Sequence, residues 1–102
     1  MHEARQERLH LLVEEMGESL QAIGKVLRHG YHVGHPEGGP TNRAWLEQEL
    51  GDVLFSIELL CDCGDLSPSE IQAWRDRKRG TVQAYIHYNV VTRTGDGWRW
   101  SP

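Results

Sequence analysis

Apolar residues recur at helical spacing along most of the chain. From Glu3 to about His29, Leu9, Leu12, Val13, Met16, Leu20, Ile23 and Leu27 form one continuous stripe, which predicts a long helix. Arg28 in its last turn and Gly30 just beyond predict where it ends. The glycine- and proline-rich run from Gly30 to Pro40 reads as a loop. Thr41 or Asn42 then caps a second helix running to about Cys63 and stopping at Gly64. In that helix Leu46, Leu50, Val53, Ile57 and Leu60 make one stripe, and Trp45, Phe55, Ser56, Leu59 and Cys63 extend the apolar surface to other sides. Only Glu47, Gln48, Glu58 and Asp62 define a wet sector, so the helix is expected to be central. Ser67-Pro68-Ser69-Glu70 reads as a capping box with proline at the first helical position. A third helix is expected to about Tyr88, with Ile71, Trp74, Val82 and Tyr85 on one face and Gly80 interrupting it. From Asn89 onward a β-branched run, Gly95-Asp96-Gly97 and Trp98-Arg99-Trp100 predict a short hairpin or an extended arm.

The expected fold is therefore all-α: a bundle of three main helices per chain, with a helical domain over residues 1–88 and a short irregular or hairpin C-terminal tail over 89–102. Three helices, one of them apolar nearly all round, do not readily bury themselves, so oligomerisation is expected to complete the bundle. The 102 residues suffice for one domain, and 25% charged with 38% hydrophobic residues exclude disorder. A net charge of −4 argues against a nucleic-acid-binding surface but leaves room for an anionic substrate bound through a cation. No apolar run approaches the roughly 20 residues of a membrane span, and Met1-His2-Glu3-Ala4-Arg5 lacks a signal-peptide apolar core. Cys61 and Cys63 are two apart on a helix, a poor geometry for a disulfide. Reduced thiols fit a cytoplasmic protein.

Two acidic pairs carry the chemistry: Glu15-x-x-Glu18 and Glu49-x-x-Asp52. Residues three apart share a helix face, so each pair presents two carboxylates side by side. Four carboxylates brought together from packed helices repel one another unless a divalent cation lies between them. Oxygen-only ligands suit Mg²⁺, with Mn²⁺ possible. Glu49 and Asp52 lie away from the wet sector of their helix, near Trp45, Ser56 and Leu59, where ionised groups need a cation or a basic partner. Glu15 and Glu18 lie off the main apolar stripe, beside Leu11, Ala22 and Lys25, and taken alone read as a solvated face.

Glu14-Glu-Met-Gly-Glu18, Gln21, Lys25, Arg28-His-Gly30, Asn42-Arg43, Leu46-Glu47 and Glu49-Leu-Gly-Asp-Val53 resemble the MazG-type all-α nucleotide pyrophosphohydrolases. The resemblance spans about residues 9 to 88. The long segment between the acidic pairs is similar to the single-domain phage and bacterial branch. The resemblance implies a Mg²⁺-dependent homodimer or homotetramer that cleaves a nucleoside triphosphate between the α- and β-phosphates, giving a monophosphate and pyrophosphate. By position it makes Glu15, Glu18, Glu49 and Asp52 the metal ligands. Either Glu15 or Glu18 would be the catalytic carboxylate that orients or deprotonates the attacking water.

Lys25 and Arg28, after Glu18 on the same helix, are candidate phosphate contacts. Lys78 shares the apolar face of the third helix; it either snorkels to solvent or reaches a phosphate, with Tyr85 close by. Asn42 is a helix cap or a nucleotide contact, and Trp45 a core residue or a stacking platform. His29, His32 and His35 stand three apart in the loop without an obvious fourth zinc ligand. The rival reading from another class is a catalytically silent module that binds nucleotide or metal.

Overall fold

The computed structural model describes the backbone of residues 1–84, 86, 90–94 and 97–101. It divides into two compact units, Met1–Leu66 and Ser67–Pro102. Among the described residues no helix is long and apolar enough to cross a membrane.

The first unit is a pair of helices, α1 (Glu3–His29) and α2 (Asn42–Asp62), joined by the loop at residues 30–41. Thr41 is the N-cap of α2, its hydroxyl accepting from the Ala44 amide at 3.1 Å. The neighbouring Asn42 is buried and does a different job: its Nδ2 donates to the Gly30 carbonyl at 3.0 Å. Two further bonds, Asn42 N–H to the Val33 carbonyl (2.9 Å) and Arg43 N–H to the Tyr31 carbonyl (2.8 Å), staple the loop to the start of α2. Gly34 and Thr41 form an isolated bridge across the loop. That approach leaves little room for a side chain at Gly34, where a Cβ would stand 3.2 Å from the Pro40 carbonyl oxygen.

At its far end α2 closes in a Schellman arrangement. Gly64 takes φ +79, its N–H reaches the Cys61 carbonyl, and the Asp65 N–H reaches the buried Leu60 at 2.8 Å. This turn delivers Asp65 to the start of α1, which fixes the two helices as antiparallel. Arg5 Nε bonds Asp65 Oδ1 at 2.8 Å, while Arg8 grips both carboxylate oxygens, Nε at 2.6 Å and Nη2 at 2.9 Å. The Asp65 side chain is only 3% exposed. The Arg8 hydrogen bonds above all, with those from Arg5, hold its pKa at about 2 against an ordinary 3.8, although burial pushes the other way. A depressed carboxylate contributes stability that is present above pH 3.8 and lost as pH falls through 2. Asp65→Asn is accordingly expected to lower the melting temperature at pH 7 and to flatten the acid limb below pH 4, which thermal melts across pH would show.

Apart from Leu60, the most buried side chains of the pair are small or polar. Ala22 and Leu60 are fully buried, and Ser19, Ser56 and Glu49 nearly so. The apolar stripe of α1 instead faces out of the unit: Val13 is 67% exposed, Leu20 69% and Leu27 81%, with Met16 and Ile23 also open. On α2, Leu50, Leu54 and Phe55 are likewise exposed. A helix whose small-residue face is spent on its partner keeps its large apolar face for something else.

In the second unit Ser67 caps α3 (Pro68–Thr81), accepting from the Glu70 N–H at 3.3 Å, with Pro68 in the first turn. The α-helix ends at Thr81 rather than near Tyr88. Gly80 followed by β-branched Thr81 and Val82 weakens propagation, and a 3₁₀ turn (Val82–Ala84) takes over. Two antiparallel strands, β1 (Val90–Thr94) and β2 (Gly97–Ser101), pair from Val90↔Ser101 to Thr94↔Gly97. The described residues of the tail thus form a paired, antiparallel couple of strands.

Candidate metal and phosphate site

Glu15 and Glu18 stand one turn apart on α1, and Glu49 and Asp52 one turn apart on α2. The small Ser19 and Ala22 let the backbones come close, and a ligand oxygen of each of Glu15, Glu18 and Glu49 lies within 4.8 Å of the others. Asp52 is exposed and outside that trio, yet its charge bears on it. Burial first, then the charges of Asp52, Glu49 and Glu14, raise the Glu15 pKa. For Glu18 the first cause is the nearby Glu49 carboxylate, which favours a proton on Glu18 that the two could share, followed by the charge of Glu15.

Glu49 is the inner member, 7% exposed. Its Oε1 accepts from the Trp45 indole N–H at 2.9 Å, one helical turn back. Its Oε2, and Oε2 of Glu15, are buried with no hydrogen-bond partner among the described residues, as is Ser19 Oγ. Two orphaned carboxylate oxygens in a group of three acids form a hard, anionic donor set. These residues fit a divalent cation. Glu14 and Glu47 are exposed, the latter 3.8 Å from Arg43, and belong to the surface.

A cationic flank adjoins the carboxylates. Lys25 Nζ lies 4.6 Å from the centre of the Trp45 ring, so one indole connects a lysine on α1 to the inner glutamate on α2. Leu20, Gln21, Gly24, Lys25, Arg28 and Trp45 line a groove of about 600 Å³ along α1. Both basic candidates of the first helix, Lys25 and Arg28, therefore border one groove. Asn42 has one amide hydrogen committed to Gly30 and lines a second cavity, under the loop. Lys78 stands on α3 in the second unit, and Tyr85 lies outside the described residues.

Residues 3–71 match the MazG nucleotide pyrophosphohydrolase domain. The chain belongs to the MazG family. No curated protein and no solved structure matches it. The MazG match contains α1, the loop, α2 and all four carboxylates. Sequence reasoning missed how Trp45 serves this MazG domain. The signal was present as the four-residue spacing of Trp45 and Glu49, which places an indole N–H within reach of a carboxylate on the same face.

The raised carboxylates give a pH dependence opposite to that of Asp65. An acid whose folded pKa is raised favours the protonated fold, so metal-free protein gains stability from Glu15 and Glu18 as pH falls through their raised values. Protons and cation compete for the same oxygens. Any rise in melting temperature on saturation with a divalent cation is expected to be largest near pH 8 and to shrink steadily toward pH 5.

Proposed function

We propose that this MazG domain is a Mg²⁺-dependent nucleoside triphosphate pyrophosphohydrolase, with Mn²⁺ as an alternative ion, that splits the bond between the α- and β-phosphates to give (d)NMP and pyrophosphate. The observation that carries this reading is the trio of carboxylates within 4.8 Å, two of whose oxygens are buried without partners. Glu15, Glu18 and Glu49 would hold the ion, with Asp52 completing the set at the exposed edge. When bound, Mg²⁺ would neutralise phosphoryl oxygens and make a coordinated water more acidic.

The chain's own groups supply the rest. Trp45 fixes one oxygen of Glu49 and leaves the other presented. Lys25 and Arg28 place positive charge along the groove beside the carboxylates, where a polyphosphate would lie. Glu15 or Glu18 receives the proton of the attacking water, and their raised pKa values bring them nearer to the range of an efficient general base.

The working form is proposed to be a homodimer or homotetramer. Val13, Met16, Leu20, Ile23 and Leu27 alternate at three- and four-residue steps, the spacing of a helix–helix seam, and all five are exposed in the single chain. The decisive experiment is incubation with each NTP and dNTP in Mg²⁺ or Mn²⁺, reading pyrophosphate against orthophosphate. Pyrophosphate and monophosphate in equal amounts support the proposal. Stabilisation by nucleotide and Mg²⁺ without product would replace it with a silent binding module.

A further inference from the structure

We propose that the cavity under the 30–41 loop receives the nucleoside of the substrate, so that the loop determines which base is accepted. This rests on the pyrophosphohydrolase reading and extends it to specificity. The cavity has a volume of about 580 Å³, inside the roughly 300–1,000 Å³ of small-molecule sites. Its walls are mostly apolar or ring-bearing: Val33, Pro36, Pro40 and the Trp45 indole. Besides Lys25 at its border, the polar side chains on it are amides and imidazoles, from Asn42, Gln48, His29 and His35. Flat apolar walls with a few hydrogen-bonding groups suit a heteroaromatic ring carrying donors and acceptors on its edge.

Position ties this cavity to the chemistry. Trp45 belongs to its wall and, through its N–H, holds Glu49 at 2.9 Å. Lys25 borders both this cavity and the groove that Arg28 shares. A ligand with a ring at one end and a polyphosphate at the other would meet apolar walls, then cations, then carboxylates, in the order of its own groups. His35 adds a defined donor. Its Nδ1 accepts from the Glu37 N–H at 3.2 Å, so the neutral imidazole carries its proton on Nε2, which can donate to a carbonyl or ring nitrogen of a base. The walls are also preformed, since three links at Gly30, Tyr31 and Val33 tie the loop to α2 and the Gly34–Thr41 bridge closes the loop on itself. A preformed wall discriminates ligands without first having to be ordered.

The test compares nucleoside triphosphates with ribose 5-triphosphate, which has the reacting phosphates and no base. Wild-type protein is expected to turn over its best nucleotide with a KM well below that for ribose 5-triphosphate. Val33→Trp, which fills the cavity, should raise the nucleotide KM by about tenfold or more and the ribose 5-triphosphate KM by much less. His35→Ala and Gln48→Ala, both at exposed positions, should change the ranking among bases with kcat retained. Melting curves with and without Mg²⁺ show that each variant keeps its fold and cation response. An active wild type that treats ribose 5-triphosphate like its best nucleotide overturns the proposal alone. So does an unchanged base ranking and KM ratio in all three variants. A wild type that cleaves none of these compounds overturns the pyrophosphohydrolase reading along with it.

Discussion

Glu49→Gln is expected to lower nucleotide turnover by about 100-fold or more while leaving the metal-free protein at least as stable as the wild type. Groups that merely orient a metal ligand typically cost 10–100-fold when removed, so loss of the innermost ligand should cost no less. Glutamine keeps the shape of the side chain and its carbonyl can still accept the Trp45 N–H. What disappears is a negative charge packed against Glu15 and Glu18. The same substitution should therefore abolish the Mg²⁺-induced rise in melting temperature and leave the melt in EDTA unchanged or higher. Those opposed signs separate a functional charge from a structural one. A salt-bridged acid would show the reverse, with a loss of stability independent of Mg²⁺.

The second large effect concerns the outer stripe of α1. Leu20→Glu combined with Ile23→Glu should convert the proposed oligomer to monomers in sedimentation or light scattering. Each apolar side chain buried at a seam contributes about 1.5–3 kcal/mol. Leu20 is 69% and Ile23 38% exposed in the single chain, so on two symmetric copies the pair removes on the order of 3–6 kcal/mol, enough to weaken association by more than about 100-fold. Neither residue contributes to the carboxylate trio, so the local geometry of Glu15, Glu18 and Glu49 should survive in the monomer. An unchanged oligomer would show that assembly uses other surfaces, such as the exposed Leu54 and Phe55.

The helices of the first unit were legible because each carries explicit stop and start signals: Gly30, Thr41 and Gly64 act at the positions the sequence marks. The third helix was overextended because the apolar periodicity of Val82 and Tyr85 continues past Gly80, while backbone propensity does not. Which face of α1 turns inward was not legible. Periodicity identifies the stripe of large apolar residues, but a single chain buries the Ser19–Ala22 side and leaves the stripe open. The acidic pairs were visible as spacing, and their relative burial was not. Helical-wheel reasoning places Glu49 and Asp52 together on a dry side, whereas Glu49 is buried and Asp52 exposed. The difference arises because three residues turn a helix by about 300°, leaving neighbours some 60° apart, enough for one to face the partner helix and the other its rim. Glu15, which taken alone reads as part of a solvated face, has one oxygen fully enclosed in the folded unit. Such coverage is a tertiary fact that no pattern within α1 records.

The tie of Arg5 and Arg8 to Asp65 at one end of the helix pair and that of Asn42 to Gly30 at the other have a joint consequence. Hydrogen bonds are directional and short-ranged, so they act as pins. A slide of one helix by a single residue is 1.5 Å, enough to unmake both ends at once. The relative height of Glu15 and Glu49 is thereby set from outside the carboxylate cluster, and the mutual repulsion of the acids cannot relax by shearing the helices past each other. The carboxylates are kept together against their own repulsion by a frame that lies about two to four turns away.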